Sequence, residues 1–395
     1  MFNTKVELKG YQRPNGLWGF RNHVLILPLH SALSASARNI ADATVTKDSY
    51  GAVGISHDWS GESDSDYARI FKTISGFAAN PNIYATVFLT INTPVEIDLI
   101  EAAVNFGANK IEVINLAALG SMEKLFEVAV DAANRLLVEA ANEHRHLAPW
   151  SAIRLGLECG GSDALSGITA NPALGVASDQ LVALGAYSVL GETTEILGAE
   201  HLLAARATDP EVGKQIVETV ARYERSINYE GIDMRGAQPS RGNIEGGLTT
   251  LEEKSLGAAK KAGNAPFTGV LDFADRADKP GLYFMDTPGH DIEQLTGFAA
   301  SGINIVVFTS GRGTPTGSAT VPTIKVSTNT QMFDSIPDLI DLNAGSIADG
   351  TESLEEVGAR IFNEIVEVAN GRLTRAETGR HHEFSLSRMY GTVIS

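Results

Sequence analysis

The sequence predicts an α/β protein of two α/β domains with mainly parallel sheets, the first of them doubly wound. Short apolar runs rich in branched residues recur along the chain, and segments with helical periodicity separate them. This alternation implies parallel strands joined by right-handed crossovers that cover both faces of a sheet. With 395 residues, 43% of them hydrophobic, the chain is long enough for more than one buried core.

The first domain is predicted over residues 1–147. Because parallel strands end at one edge, ligands of such a sheet bind beyond the carboxyl ends of its strands. His30, His57 and Asn92 fall there, although we favour their interpretation as turn formers. The predicted strands are 23–27, 52–55, 83–89 and 111–116, and the predicted helices are 67–77, 95–106 and 122–141.

The second domain is predicted over residues 148–395, beyond a polar segment at 144–149. The same alternation resumes there. The polar, glycine-rich stretch 228–247 is predicted to be an irregular loop that serves a site. The predicted strands are 152–157, 187–190, 282–285, 303–308 and 323–326, and the predicted helices are 177–184, 209–227 and 354–368.

Composition limits the classes of partner. A formal net charge of -17 argues against binding to nucleic acid or to an anionic membrane, although a small anion could bind locally. No stretch approaches the roughly 20 apolar residues that span a bilayer. The chain opens without the apolar core of a secretory signal, and its one cysteine cannot form an internal disulfide. We therefore expect a soluble, cytoplasmic protein.

The segment around the single cysteine is the most informative. Cys159 follows a predicted strand, and Gly160 and Gly161 allow the backbone to bend where a Cβ would clash. The backbone amides of this turn, with Ser162 and Asp163 opening a helix, would suit a substrate carboxylate or phosphate. The alternative is an ordinary glycine turn in which Ser162 caps a helix.

Two further segments carry acidic residues or amides. Glu192 and Glu195 follow the predicted strand 187–190, and His201 comes shortly after them. Carboxylates and an imidazole could bind a divalent metal or transfer protons, or the acidic residues could simply stabilise a helix start. Arg241 and Asn243 lie in a glycine-rich bend that could contribute to a substrate site.

Two strand ends carry the remaining candidates. Asp286 and His290 follow strand 282–285, where a carboxylate can orient an imidazole for acid and base chemistry; a plain turn is the alternative. Thr309 and Arg312 lie in a glycine-rich turn after strand 303–308, and such a turn suits a substrate carboxylate. Its glycines fit neither the dinucleotide nor the nucleotide-loop fingerprint.

Long motifs follow one another along almost the whole chain. They are GYQRPNGLWGFRN (10–22), CGGSDALSGITANPALG (159–175), GETTEILGAEHLLAARA (191–207), RGNIEGGLTTLEEKSLG (241–257), MDTPGHD (285–291), FTSGRGTPTG (308–317), VPTIKVSTNT (321–330) and HHEFSLSRMY (381–390). Together they resemble the altronate and galactarate dehydratase family, which also includes the large subunit of sulfolactate sulfo-lyase. Several long motifs in one order are highly specific.

The resemblance implies β-elimination from a 2-hydroxy acid that yields a 2-keto acid, with iron or manganese dependence in the sugar-acid dehydratases. A base removes the proton beside the carboxylate, and a cation or hydrogen-bond donors stabilise the enediolate. We predict His290 with Asp286 for proton transfer and Arg312 with Thr309 for the substrate carboxylate. The predicted metal ligands are Cys159, Glu192 and His201. Substrate contacts are also predicted for Gly160, Gly161, Ser162, Asp163 and Asn243.

The chain departs from the family pattern in its first domain. Where the sugar-acid branch is expected to carry cysteines, this chain has Pro28-Leu29-His30-Ser31 and His57-Asp58-Trp59-Ser60-Gly61-Glu62, which puts a thiolate-bound metal in doubt. Three functions stay open: a dehydratase of aldonates or aldarates, a carbon-sulfur lyase that releases sulfite from sulfolactate, and a non-catalytic sugar-acid-binding relative. A separate small subunit and homo-oligomerisation are also expected.

Overall fold

The structure, a computed structural model, describes residues 1–47, 51–61, 66–229 and 238–388, with the backbone alone described for 226–229. Its strands form three sheets, of which the smallest is antiparallel with the order β2-β1-β7. Its strands are β1 (Leu8–Gln12), β2 (Trp18–Gly19) and β7 (His146–Ala148). This sheet was not predicted from the sequence, because its short, partly exposed strands contain no apolar run.

The predicted doubly wound sheet of the first half is confirmed. Its strands are β3 (His23–Pro28), β4 (Val53–Gly54), β5 (Ile83–Thr90) and β6 (Ile111–Asn115), parallel in the order β4-β3-β5-β6. Its helices are α1 (Ser34–Ala43), α2 (Tyr67–Ala78), α3 (Pro94–Phe106), α4 (Leu116–Leu119) and α5 (Met122–Asn142). α1 and α5 cover one face, while α2 and α3 cover the other.

The second half is built on a seven-stranded parallel sheet, as its strand and helix alternation predicted. In chain order the strands are β8 (Arg154–Gly160), β9 (Tyr187–Leu190), β10 (Phe267–Leu271), β11 (Gly281–Met285), β12 (Ile305–Ser310), β13 (Thr323–Ser327) and β14 (Leu342–Asn343). They are arranged as β10-β11-β9-β8-β12-β13-β14. β8 is central and buried along its whole length. The edge strands β10 and β14 were not predicted, because neither is fully buried.

The helices of the second half lie on both faces of this sheet. They are α6 (Ala170–Ala183), α7 (Glu200–Ala204), α8 (Pro210–Tyr229), α9 (Arg241–Glu245), α10 (Leu251–Ala259), α11 (Asp291–Ala300), α12 (Thr330–Ser335), α13 (Leu354–Ala369) and α14 (Arg375–Thr378). Short 3-10 helices occupy Ser31–Leu33, Trp150–Ala152, Thr193–Ile196, Lys260–Ala262 and Gly345–Ile347. α6 and α13 share one core cluster, and α11 belongs to another. No described helix is long and apolar enough to cross a membrane.

One sequence prediction for this half is corrected by α9. This helix lies inside the stretch 228–247 that was predicted to be irregular; Ser240 and Asn243 form a capping box at its start. A capping box satisfies the free amides of a helix end, which makes even a very short helix stable here. The part of the same stretch at 230–237 lies outside the described residues.

The two large sheets pack through α2 and α11. Gly76 of α2 allows the approach, because a Cβ there would lie 2.5 Å from the carbonyl oxygen of Ala300. The Asn80 amide then donates to the carbonyl oxygens of Ala299 (2.7 Å) and Ile303 (2.8 Å). One hydrophobic cluster contains side chains from both sheets. The predicted domain boundary at residue 147 stays a prediction.

Lys325, a fully buried lysine in β13, should make stability depend on pH. Its Nζ donates to the Pro315 carbonyl at 2.8 Å, and burial lowers its pKa from 10.5 to about 8, partly opposed by Asp341. Between these two values the unfolded chain binds more protons than the folded one, so stability rises with pH. We expect Lys325→Met to flatten that rise.

The measurement is the urea midpoint of unfolding, followed between about pH 7.5 and 10.5. Lys214→Met is the matched control, because the Lys214 side chain is exposed on α8 and should leave the profile unchanged. An unaltered slope in Lys325→Met would show that this lysine is not desolvated in the native state.

Candidate active site

The centre of the site is formed by the carboxyl ends of β8 and β9. These strands are neighbours and parallel, so Glu158 and Cys159 at the end of β8 lie beside Glu192, which follows β9. Glu192 has a left-handed backbone (φ 63°), and its amide donates to the Thr287 hydroxyl at 2.6 Å. A non-glycine residue in this conformation is strained, and such strain is concentrated at functional sites.

On one side of the sheet, the Cys159 thiol lies in a buried network of charges. Lys261 Nζ donates to Cys159 Sγ at 2.7 Å and to Glu192 Oε2 at 2.5 Å. The thiol donates to Glu195 Oε2 at 2.8 Å, and the other oxygen of Glu195 pairs with Lys254 Nζ at 2.9 Å. The Cys159 sulfur therefore contacts both an ammonium group and a carboxylate of the protein.

Glu158 lies on the opposite side of the sheet, because side chains alternate along a strand. It is fully buried, and neither of its carboxylate oxygens has a hydrogen-bond partner among the described residues. Asp291, the first residue of α11, approaches it closely: a Cβ at Gly160 would lie 2.6 Å from Asp291 Oδ2. Carboxylate oxygens of Glu158, Glu192 and Asp291 all lie within 4.8 Å of one another.

Burial sets unusual protonation states in this cluster. It raises the pKa of Glu158 well above its ordinary value and, with repulsion from Glu195, raises the pKa of Glu192 to about 8. Burial also opposes ionisation of Glu195, but the ammonium groups of Lys254 and Lys261 outweigh it and hold its pKa at about 2. Of these three carboxyl groups, Glu195 therefore ionises most readily.

The pKa values of the Cys159 thiol and of the buried Lys261 are both raised. Burial and the nearby Glu192 carboxyl raise the pKa of the Cys159 thiol well above its ordinary value. Burial lowers the pKa of Lys261, but attraction to Cys159 and Glu192 outweighs that effect and raises it overall. The surroundings of Cys159 therefore favour the thiol over the thiolate that metal binding and nucleophilic attack require.

A polar cavity of about 640 Å³ is lined by residues that follow the carboxyl ends of β8, β12 and β13. Arg312 is its cationic group, with a half-exposed side chain whose Nη2 is 3.8 Å from Glu245. Gly161 adopts a left-handed φ of 61°, and a Cβ there would lie 3.2 Å from Arg312 Cβ. The cavity is thus large enough for a small organic acid, and the guanidinium faces solvent rather than a buried partner. The other lining residues include Asp163, Asn329, Thr330, Gln331, Ser335 and Asp349.

Several residues predicted to bind substrate make hydrogen bonds with one another or with neighbouring residues, and their substrate contacts stay a prediction. Asp163 accepts hydrogen bonds from the hydroxyls of Ser166 and Thr328, each at 2.8 Å. The Asn243 amide donates to the carbonyl oxygen of Ser162 at 3.1 Å. The Thr309 hydroxyl is buried and donates to Asn171 at 2.6 Å, which leaves Arg312 as the exposed member of the predicted carboxylate clamp.

The predicted proton-transfer pair is not hydrogen bonded in the structure. Asp286 accepts from the Thr193 hydroxyl at 2.7 Å and from Arg222 at 2.8 Å. The His290 side chain is 59% exposed, and its Nδ1 lies 3.7 Å from Glu293. His290 is the residue that precedes Asp291, so its imidazole stands at the solvent side of the buried carboxylates. Its catalytic role stays a prediction.

The predicted metal ligands are only partly brought together. Cys159 and Glu192 form a group with Glu195, whose ligand atoms lie within 4.8 Å of one another. His201 is exposed on α7 and belongs to neither group of metal-ligating side chains found among the described residues. Its position relative to the strand end explains this: α7 begins only after a 3-10 turn, which carries the helix away from the sheet edge.

Four residues of the cluster were missed as candidates: Glu158, Lys254, Lys261 and Asp291. Glu158 could have been predicted from the sequence, because a carboxylate at the end of an apolar strand is buried together with that strand. Lys261 and Lys254 gave none, since lysines near a helix end are usually solvated. Only the packing of α10 against the strand ends reveals their role.

A parallel sheet with buried acid-base residues at its strand ends, beside a polar cavity, is the architecture of an α/β enzyme. Comparison with known families identifies which one. The chain belongs to the D-galactarate/altronate dehydratase family: residues 150–392 match "D-galactarate/Altronate dehydratase, C-terminal", and residues 10–141 match "D-galactarate dehydratase/Altronate hydrolase, second domain". The resemblance predicted from the motifs is confirmed.

Characterised relatives bear names from both branches of the family. The chain is 44% identical over 250 residues to galactarate dehydratase (L-threo-forming) of Escherichia coli, covering 63% of this chain and 48% of that protein. It is 34% identical to (2R)-sulfolactate sulfo-lyase subunit beta of Chromohalobacter salexigens, covering 98% and 99%. It is 32% identical to altronate dehydratase of Bacillus subtilis, covering 97% and 78%. The chain thus spans about half of the first relative's length, and its family membership makes it a lyase.

Proposed function

We propose that this chain is the large, catalytic subunit of a sugar-acid dehydratase, which eliminates water from an aldonate or aldarate to give a 2-keto-3-deoxy acid. The altronate and galactarate dehydratases among its relatives support this proposal. The observation that carries it is the Gly160-Gly161 turn between the two groups: a Cβ at Gly160 would lie 2.6 Å from Asp291 Oδ2 of the carboxyl cluster, and a Cβ at Gly161 would lie 3.2 Å from Arg312 Cβ. An anion-binding group and acid-base groups are the two requirements of this elimination.

Arg312 binds the substrate carboxylate in this proposal. A guanidinium offers two parallel N–H donors to a carboxylate, and this bidentate pairing fixes both position and orientation. The substrate's second carbon is then directed toward the ends of β8 and β9. Because the Arg312 side chain is half exposed, it can bind an incoming anion without first breaking a buried ion pair.

His290 is the proposed proton-transfer group. A base removes the proton from the carbon beside the carboxylate; the electron pair forms the carbon-carbon double bond, and the β-hydroxyl leaves as water after protonation. The resulting enol then becomes the keto acid. An imidazole has one nitrogen that can accept a proton and one that can donate a proton. Asp286 is held by Thr193 and Arg222, so we propose that it shapes the turn before His290.

We also propose that a divalent cation, Fe²⁺ or Mn²⁺, is the cofactor. The fully buried Glu158 carboxylate, with both oxygens unpartnered among the described residues, has the chemistry of an oxygen ligand. Glu158, Glu192 and Asp291 would hold the cation. When bound, it would polarise a substrate oxygen and stabilise the negative charge of the enediolate.

A separate small subunit is part of the proposal, and one relative's name, "subunit beta", supports it. The same relative favours a second candidate function, release of sulfite from sulfolactate with pyruvate as product. Both reactions require a base beside the carboxylate and differ in the leaving group. The pocket contacts of that group therefore decide between them.

The test is a panel of altronate, galactarate and (2R)-sulfolactate, assayed anaerobically with Fe²⁺ or Mn²⁺ for keto-acid and sulfite formation. The chain is assayed alone and with any small subunit that copurifies with it. A keto acid from a sugar acid supports the dehydratase, whereas sulfite from sulfolactate supports the alternative. Binding without turnover of any acid would instead indicate the non-catalytic relative.

Arg312→Lys should separate carboxylate binding from wall structure. We expect it to raise KM on the order of 10- to 100-fold, because a charge-assisted bidentate contact contributes about 1.5–3 kcal/mol. Arg241→Lys is the matched control, since Arg241 is almost fully exposed and also pairs with Glu245. An unchanged KM in Arg312→Lys would show that Arg312 does not bind the substrate carboxylate.

Thr309→Val should instead lower the free energy of unfolding by about 1–3 kcal/mol, because it leaves Asn171 without its hydrogen-bond donor.

A further inference from the structure

We infer that the divalent cation of this site binds on the carboxylate side of β8, to Glu158, Glu192 and Asp291, and that Cys159 is not one of its ligands. This inference rests on the proposed function and locates its cofactor. The two groups of metal-ligating side chains share Glu192 and lie on opposite sides of the sheet edge. The contacts of each group decide between them.

The thiol side already contains a cation. Lys261 Nζ lies 2.7 Å from Cys159 Sγ and 2.5 Å from Glu192 Oε2, and it is within 3.8 Å of Glu195. A metal ion bound to the same three side chains would have to occupy the space of this ammonium group. The Lys261 side chain is 1% exposed, so its ammonium group is buried at this position and does not reach solvent.

The carboxylate side lacks such a partner. Both oxygens of Glu158 are buried and accept no hydrogen bond within the described chain, and Gln294 presents a second buried, unpartnered oxygen one turn along α11 from Asp291. Lone carboxylates in an apolar interior are costly, and coordination of a cation is one of the few ways to stabilise them. A cation bound to Glu158 would supply the partner that its oxygens lack.

Charge and ligand type favour a hard divalent ion there. Four carboxyl groups (Glu158, Glu192, Glu195 and Asp291) surround two ammonium groups (Lys254 and Lys261), so full ionisation leaves two negative charges to offset. A divalent cation supplies this charge. An all-oxygen ligand set suits Mn²⁺ or Mg²⁺ and lacks the soft sulfur that selects thiophilic metals.

The experiment is a calorimetric titration of metal-stripped protein with Mn²⁺, without substrate, at one fixed pH. We expect the wild type to bind one Mn²⁺, Glu158→Gln to weaken binding on the order of 100-fold, and Cys159→Ala to bind as the wild type does. Asp291→Asn is a second ligand variant, and near-ultraviolet circular dichroism verifies folding. If Glu158→Gln fails to fold, Asp291→Asn decides.

Loss of Mn²⁺ in Cys159→Ala with retention in the carboxylate variants would overturn the inference, as would a wild type that binds none. The titration also separates this inference from the proposed function. Keto-acid formation by a protein that binds no Mn²⁺ refutes the site and leaves the dehydratase standing. Carboxylate-dependent Mn²⁺ binding without turnover of any acid refutes the dehydratase and leaves the site standing.

Discussion

Lys261→Met is expected to destabilise the protein by about 3–5 kcal/mol, because removal of one partner from a buried ion pair leaves the other charge uncompensated. The Lys261 side chain is 1% exposed, and its ammonium group contacts both Cys159 and Glu192. Methionine has a similar length and fills the same space, so the loss comes from charge rather than from a cavity. Chemical unfolding measures it at a pH above the Glu192 pKa of about 8, where both partners are charged.

Two variants make this result specific to the buried pair. Lys260→Met changes the adjacent lysine, which is exposed, and should alter stability by no more than about 0.5 kcal/mol. The double variant Lys261→Met/Glu192→Gln should recover part of the loss, because it removes both charges and the two residues are in contact. A loss of the same size in Lys260→Met, or no recovery in the double variant, would contradict the buried ion pair.

His290→Ala is expected to lower kcat by about 10²- to 10⁴-fold, the usual contribution of a general acid or base. The His290 side chain is 59% exposed, so the variant should fold with an unchanged thermal midpoint. The measurement is the initial rate of keto-acid formation on whichever acid of the panel the wild type converts. A fall in kcat without a change in stability would distinguish chemistry from structure.

The control for His290 is His144→Ala, since His144 is exposed beyond the end of α5 and far along the chain from the site. The pH dependence of kcat provides a second readout, because loss of a proton-transfer group should change the shape of that profile. Normal turnover in His290→Ala would end the proton-transfer assignment and direct attention to the buried carboxyls.

Periodicity predicted the large sheets well because buried parallel strands are continuous apolar runs. β5 and β9 were predicted within a residue of their observed ends. The short antiparallel sheet and the edge strand β10 were missed, because partly exposed strands resemble loops in sequence. Helix α9 was missed because its stability depends on one capping box rather than on an apolar face.

The sequence predicted correctly that residues directly following the strands lie at one edge of the sheet. Cys159, Glu192 and Arg312 follow β8, β9 and β12, and parallel pairing necessarily brings such positions to one edge. His201 and Thr309 show the limits of that rule. His201 comes after an intervening 3-10 turn and lies at the surface, whereas Thr309 points into the interior toward Asn171.

The sequence by itself determined the family, the α/β class and the edge of the sheet at which the chemistry lies, because motifs and hydrophobic periodicity are local properties of the chain. Only the tertiary structure decided which side of β8 each group occupies. Lys261 is 102 positions from Cys159, and its ammonium group becomes a partner of the thiol only when α10 and its 3-10 extension pack against the strand ends. Side-chain alternation places Glu158 on the other face, near Asp291, so the electrostatics of this site arise from packing between distant segments.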